Sequence, residues 1–318
     1  MNVVERWRDD IARIFAEAAE DVASLPAGPS AVGLALLERA DPLRGAAGTN
    51  AISYLLPFWL RERLDVPIGA SRDMAVGNLL AMLHFFGLDD AMDERHGERR
   101  RADLRDTLTF GQLANELFRQ RYSRHFPSDS PLWSYHRRYL EEWASAVQAE
   151  AAAPIDPRDP ERLAAKAAPV KLCAAAGLLH EQRRERIPEL ERAVQLALAV
   201  LQLSDDWADW REDLAEPNRN ALLSLARDGL ALTDGEPMDE RSVRRAIYRG
   251  GCADRLADIA EGYVVHLQRC DMAPPSLVEF AREIAQGIRR DAQAVERSVA
   301  ELAAGGGLSY YLSNNGYR

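Results

Sequence analysis

Long segments with apolar residues at helical spacing constrain this chain more than any other feature. There are roughly ten of them, about 10 to 30 residues long and rich in Ala, Leu, Glu and Arg, and short breaks marked by proline or glycine separate them. Alternating runs of β-branched residues are absent, so a β-sheet has no evident source. We therefore predict an all-α fold. The clearest helices are expected near residues 3–24, 72–96, 102–126, 130–152, 188–215, 252–271 and 275–303.

The breaks between these segments predict turns rather than domain linkers. Pro127–Pro131 and Pro154–Pro157 are too short to separate domains, and no fixed repeat indicates a solenoid. We expect a single helical domain over residues 1–304. The glycine- and tyrosine-containing end, residues 305–318, is expected to form a flexible tail or a lid over the site.

Charge and composition exclude several classes of function. The formal net charge is −10, which argues against a general binder of nucleic acid or of anionic membranes. No stretch of about 18 uncharged apolar residues is present, so no transmembrane segment is expected. The three cysteines, Cys173, Cys252 and Cys270, form neither a CxxC pair nor an even disulfide framework. These observations predict a cytoplasmic protein.

Two acidic clusters carry the chemistry that the sequence indicates. Each contains the pattern Asp-Asp-x-x-Asp, within Leu88–Glu94 and Gln202–Asp213. On a helix, the first cluster would place Asp89, Asp90 and Asp93 in one patch, and the second would place Asp205, Asp209 and Asp213 in another over two turns. Both patches lie toward helix C-termini, where the macrodipole disfavours negative charge. Bound metal ions would reverse that penalty.

Apolar residues precede each patch by one or two helical turns. Leu79, Met82, Phe85 and Phe86 come before the first patch, and Val194, Leu198, Leu201 and the polar Gln202 come before the second. If the two helices face each other, they enclose an apolar pocket with an acidic mouth. Carboxylates without His or Cys suit Mg²⁺, which completes its coordination with water and substrate phosphate. The predicted ligand is apolar at one end and phosphorylated at the other.

The two aspartate-rich helices, about 115 residues apart in an all-α chain, resemble those of the class I isoprenoid synthase superfamily. The resemblance covers residues of roughly 75 to 225. It implies a single-domain helical bundle with a central apolar cavity, in which three Mg²⁺ ions hold the diphosphate of a prenyl diphosphate substrate. It also implies that the aspartates of both patches are the metal-binding and catalytic residues, and it leaves a homodimer open.

Within the superfamily, the second cluster favours a terpene cyclase. Asp205, Asp209 and Asp213 match the ligand positions of the second metal motif of terpene cyclases, and the segment containing Asn220 resembles the one that follows that motif. Asp41–Gly45 lacks the lysine by which trans-prenyl diphosphate synthases bind isopentenyl diphosphate. The tyrosines typical of squalene and phytoene synthases are missing too. Both prenyltransferase types remain alternatives, as does an inactive homologue that serves as a subunit or scaffold.

Supporting residues for the diphosphate and the prenyl chain follow from the same resemblance. The only two lysines, Lys166 and Lys171, are expected on one helix near the position of the diphosphate-binding lysine of prenyl synthases, and Arg158 lies near the diphosphate-sensing arginine of cyclases. Phe85 and Phe86 would line the pocket and stabilise a cation, although aromatic residues at helical spacing are more often core. The remaining residues predicted to bind substrate are Gln202 and Asn220.

Overall fold

The computed structural model describes residues 3–45, 50–92, 98–149, 154–215, 220–232 and 236–304. All regular structure in these ranges is helical, with fourteen α-helices, a few short 3-10 turns and no β-strand, which confirms the all-α prediction. The helices are α1 (Val3–Arg6), α2 (Arg8–Ala23), α3 (Ala27–Ala40), α4 (Ala51–Trp59), α5 (Ile68–Met92), α6 (Glu98–Ser123), α7 (Leu132–Ala149), α8 (Pro160–Ala165), α9 (Leu172–His180), α10 (Ile187–Asp209), α11 (Ala221–Gly229), α12 (Glu240–Arg249), α13 (Cys252–Gln268) and α14 (Pro275–Ala304).

The described helices outnumber the roughly ten that the sequence predicts because several are short. Helix α1 has four residues and α8 has six, so neither completes the two turns over which helical periodicity becomes visible. Polar side chains mark where some of these helices begin. Asp159 accepts hydrogen bonds from two amides at the start of α8, and Asp239 accepts one from Ser242 at the start of α12.

The described residues form two compact units that alternate along the sequence. Unit 1 consists of the described residues within Met1–Arg138, Val170–Glu191 and Pro274–Leu277. Unit 2 consists of the described residues within Tyr139–Pro169, Arg192–Ala273 and Val278–Arg318. The first acidic cluster therefore belongs to unit 1 and the second belongs to unit 2. The prediction of one domain over residues 1–304 stays a prediction, and the predicted tail, 305–318, lies outside the described residues.

Unit 1 has α5 at its centre. Helices α2, α4 and α6 pack against α5, and α3 packs against α2 and α6. Gly33 permits the close approach of α3, because a Cβ atom there would lie 2.2 Å from the ring of Phe110 in α6. The largest fully buried side chains of the unit include those of Tyr54, Trp59 and Tyr122. Helix α5 is therefore held by the core along most of its length.

A buried arginine also fastens α5 to its neighbours. Arg121 of α6 donates two hydrogen bonds to Asp21 of α2, at 2.6 and 2.8 Å. It donates further bonds to Glu17 of α2, at 3.1 Å, and to Asp73 of α5, at 2.8 Å. Charge-assisted bonds of this kind are stronger than neutral ones. Three helices of unit 1 are therefore tied together through one guanidinium group.

Unit 2 contains the helices that follow the second cluster. Helices α11, α12 and α13 pack against one another. Arg289 of α14 binds three carboxylates of α13: Glu261 at 3.0 Å, Asp254 at 3.4 Å, and Asp258. The start of α11 is therefore anchored in a packed group of helices, and this start contacts the second cluster.

In the part of the chain that the structure describes, every helix is too short or too polar to cross a membrane.

Candidate functional site

The second acidic cluster lies at the C-terminal end of α10. The apolar residues that precede it, Val194, Leu198 and Leu201, are buried as expected. Burial of this kind is common to a packed core and to the lining of a cavity, so the apolar pocket stays a prediction. Asp205 is partly buried, whereas Asp209, the last residue of the helix, is exposed. The cluster therefore lies where buried helix meets solvent.

The carboxylates of this cluster are in surroundings that disfavour their charge. Burial first, and then the neighbouring Asp209 carboxylate, raise the pKa of Asp205 to about 6. Although Asp209 is exposed overall, partial desolvation of its carboxylate and the charges of Asp213 and Glu212 raise its pKa. Like charges and the negative end of the helix dipole act in the same direction. A cation bound between Asp205 and Asp209 would remove this penalty.

Asp213 does not continue the helix, and the expectation of three aspartates over two helical turns is wrong. Helix α10 ends at Asp209, and Asp213 begins a short 3-10 turn, Asp213–Ala215. The amide of Glu212 donates to the carbonyl of Asp209 at 2.8 Å, which closes a tighter turn than that of an α-helix. Repulsion among the aspartates at the negative end of the dipole favours this early end.

Asp206, which the sequence does not single out as a ligand, is the most deeply buried acid of the cluster. Its side chain is only 2% exposed. One carboxylate oxygen accepts a hydrogen bond from the amide of Ala221 at 2.7 Å, and the other accepts one from Nε2 of Gln202 at 2.8 Å. Burial is the main cause that raises the pKa of Asp206 to about 7. Asp206 therefore joins the end of α10 to the start of α11.

Gln202 and Asn220, both predicted to bind substrate, have protein partners in this structure. Gln202 donates to Asp206, as described above. Asn220 is fully buried, and its Oδ1 accepts from the amide of Leu223 at 3.0 Å, as an N-cap of α11 does. Its Nδ2 donates to the carbonyl of Asp206 and to Oδ2 of Asp213, both at 2.8 Å. An asparagine directly before the apolar run Ala221–Leu223 is the signal that could have indicated this cap.

The first acidic cluster has different surroundings. Asp89 and Asp90 are exposed, and they lie in the last described turn of α5. Asp93, the third predicted ligand of this cluster, lies outside the described residues. The position of Asp89 and Asp90 toward the C-terminal end of a helix agrees with the expectation from sequence. Both carboxylates are accessible to solvent there, as ligands for an incoming metal ion and diphosphate must be.

Two of the four apolar residues before the first cluster are buried, and the other two are not fully covered. Leu79 and Met82 belong to the core of unit 1. Phe85 is half-buried and its ring meets that of His84 edge to face, with the centroids 5.3 Å apart. Phe86 is 43% exposed. The core does not cover the Phe86 side chain, and its role in lining a pocket stays a prediction.

The prediction that both lysines lie on one helix is wrong. Lys166 follows the last residue of α8, whereas Lys171 ends a 3-10 turn, Ala168–Lys171, that leads into α9. Pro169 explains the break, because it has no amide hydrogen and its ring collides with the carbonyl four residues earlier in a continuous helix. Lys171 is buried, with 6% of its surface exposed, and Lys166 is half-buried.

Arg158, the third predicted phosphate-binding cation, lies on the exposed segment before α8. Its guanidinium is 3.6 Å from the carboxylate of Asp156, and both side chains are well exposed. Exposed ion pairs of this kind contribute little to stability and exchange readily. Arg158 is therefore accessible to an anion.

The donor set at the end of α10 fits Mg²⁺. Asp205 and Asp209 are one helical turn apart, so their oxygen ligands share a face, and Mg²⁺ typically takes one or two carboxylates per ion. Among the described residues, no three His, Cys, Asp or Glu side chains are gathered as a complete metal site. Substrate phosphate and water would have to supply the remaining ligands, as they do in many magnesium sites.

A comparison of the chain with models of known protein families gives no match, and a search among curated proteins gives none either.

Proposed function

We propose that this protein is a Mg²⁺-dependent class I terpene synthase. It would ionise a linear prenyl diphosphate and release a terpene hydrocarbon or alcohol together with diphosphate, which makes it a carbon–oxygen lyase. The observation that carries the proposal is the pair of carboxylates at the end of α10, Asp205 and Asp209, whose pKa values are raised by burial and by neighbouring charge. A cation bound between two neighbouring carboxylates offsets their mutual repulsion, and perturbed carboxylates of this kind are candidates for a functional site.

The proposed metal ligands are the aspartates of both clusters: Asp89, Asp90, Asp93, Asp205, Asp209 and Asp213. Magnesium ions bound there supply Lewis-acid stabilisation of the negative charge that develops on the departing diphosphate. Lys166, Lys171 and Arg158 are proposed to add positive charge toward the phosphate oxygens. Phe85 and Phe86 would present aromatic faces to the carbocation.

The apolar residues of the proposed site have a second task. An allylic cation reacts quickly with water, so the residues around it must exclude solvent until cyclisation or deprotonation is complete. Leu198 and Leu201 of α10, which are buried just before the second cluster, are proposed to belong to that apolar wall. A helical bundle around a central cavity and a cytoplasmic location are parts of the same proposal.

Product analysis tests the reaction. The purified protein is incubated with geranyl, farnesyl and geranylgeranyl diphosphate and Mg²⁺, each with and without isopentenyl diphosphate. A hydrocarbon or alcohol formed from a single substrate supports the cyclase. Longer diphosphates that require isopentenyl diphosphate would identify an elongating prenyl synthase, and a head-to-head product from two identical substrates would identify a squalene- or phytoene-type enzyme.

Substitutions test the site. Asp89→Ala and Asp209→Ala should each lower Mg²⁺-dependent release of diphosphate by at least about 100-fold, because each removes a proposed ligand of the Mg²⁺ that stabilises the transition-state charge. Asp129→Ala and Asp271→Ala are matched controls, since both aspartates are exposed on turns outside the two clusters. Turnover at the wild-type rate in either cluster variant would contradict the site. Absence of turnover in the wild type, and of a thermal shift with Mg²⁺ and diphosphate, would favour the scaffold alternative.

A further inference from the structure

Asn220 uses its whole amide group to hold neighbouring parts of the chain. Its oxygen caps α11 through the amide of Leu223, and its nitrogen donates to the Asp206 carbonyl and to the Asp213 carboxylate. An asparagine side chain offers one carbonyl oxygen and two N–H donors, so all three groups are engaged. Because the residue is also fully buried, we infer that it has no group left with which to contact substrate.

Asp206 holds the same junction from the other side. Its carboxylate accepts from the amide of Ala221, which is the first residue of α11, and from Gln202 one turn earlier in α10. Asp206 and Asn220 therefore bridge the same two segments. The Asp206 carboxylate accepts from the amide at the start of α11, and the side-chain amide of Asn220 donates to the backbone carbonyl of Asp206 in α10. The start of α11 is fixed against the end of α10.

We propose that Asn220 is a positioning residue that orients the Asp213 carboxylate as a metal ligand, with Asp206 as its buried anchor rather than as a ligand. The inference rests on the proposed function, because it assigns Asp213 to the metal site. Asp213 has left the helix that carries Asp205 and Asp209, so helical geometry no longer fixes its side chain. The hydrogen bond from Asn220 replaces that constraint.

Groups that orient a metal ligand without touching the metal typically change metal affinity by about 10-fold to 100-fold when they are replaced. The informative variant is Asn220→Ser. Serine is a preferred N-cap, so α11 keeps its cap, but the side chain is too short to reach Asp213. Asp239→Ser is the matched control, since Asp239 caps α12 through Ser242 and has no hydrogen bond to the cluster among those of the described residues.

The measurement is the affinity for Mg²⁺ in the presence of inorganic diphosphate, obtained by isothermal titration calorimetry. It requires no turnover. We expect Asn220→Ser to bind Mg²⁺ about 10-fold to 100-fold more weakly than the wild type, and Asp239→Ser to bind it with unchanged affinity. In a double-mutant cycle, Asn220→Ser should have no further effect once Asp213→Ala is present, because the two groups act as one unit.

The outcomes separate this inference from the function on which it rests. A wild-type protein that binds no Mg²⁺ with diphosphate would overturn the proposed function, and this inference with it. A wild type that binds them, together with an Asn220→Ser variant of equal affinity or with strictly additive effects in the cycle, would overturn the positioning role alone. If Asn220→Ser does not fold, Asn220→Thr takes its place with the same expected outcomes, because threonine also caps a helix and its hydroxyl is likewise too short to reach Asp213.

Discussion

The two Asp-Asp-x-x-Asp clusters have the same pattern and opposite surroundings. The second aspartate of the first cluster, Asp90, is exposed at the described end of α5, whereas the second aspartate of the other cluster, Asp206, is only 2% exposed. Asp206 accepts hydrogen bonds from Gln202 and from Ala221. The second aspartate of the motif is therefore exposed to solvent in the first cluster, whereas in the second cluster it joins α10 to the start of α11.

Burial gives the second cluster an electrostatic cost. Asp205 and Asp206 both have raised pKa values, and burial is the largest cause for each. Asp89 and Asp90 are exposed. The difference between the clusters is therefore expected to be visible in the metal-free protein, before any substrate is added.

The largest expected effect is on the pH dependence of stability. The pKa of Asp206 is raised from 3.8 to about 7 in the folded protein, so between these values the folded state keeps a proton that the unfolded state has lost. The stabilising contribution is fully present below pH 3.8 and is lost as the pH rises through about 7. At about 1.4 kcal/mol per pKa unit, the loss is on the order of 4 kcal/mol.

Urea denaturation in EDTA from pH 4 to pH 8 measures this effect. The difference between the wild type and Asp206→Asn isolates the contribution of Asp206, because other titrating groups are common to both. Asp90→Asn, at the equivalent exposed position of the first cluster, is the comparison variant. Parallel curves for the wild type and Asp206→Asn would show that the two clusters do not differ in this way.

The next largest effect is expected from truncation. Asp206→Ala leaves the buried amide of Ala221 and the side chain of Gln202 without their acceptor, which should lower the free energy of unfolding by about 2 to 3 kcal/mol. Asp90→Ala removes an exposed side chain and should change it by less than about 0.5 kcal/mol. Both values come from urea denaturation at one pH in EDTA. Equal destabilisation by the two variants would contradict the contrast between the clusters.

The smallest effect is one that the clusters should share. Asp209→Asn removes a negative charge from the C-terminal end of α10, and Asp89→Asn does the same near the described end of α5. In EDTA each should raise the free energy of unfolding by roughly 0.3 to 0.5 kcal/mol, because the helix dipole disfavours these charges. With Mg²⁺ and diphosphate, both variants should become less stable than the wild type, as thermal melting would show. No change of sign on adding the ligands would argue against a metal role.

Helices and the acidic clusters were predictable from local pattern. Helix α13 was expected near residues 252–271 and spans Cys252–Gln268, and α14 was expected near 275–303 and spans Pro275–Ala304. Their periodicity extends over several turns, and local propensity agrees with it. The predicted segment 188–215 was less accurate, because α10 ends at Asp209. Repulsion among carboxylates acts through space and is not visible as a break in periodicity.

The sequence by itself determined that the chain is helical and that aspartates gather toward the ends of two helices, since both properties depend on residues close in the chain. Only the tertiary structure decided that Asp206 is buried while Asp90 is exposed, and that Asn220 holds Asp213. These contacts join the end of α10 to the start of α11. Helical spacing assigns a side chain to a face, but burial and hydrogen bonding depend on what packs against that face.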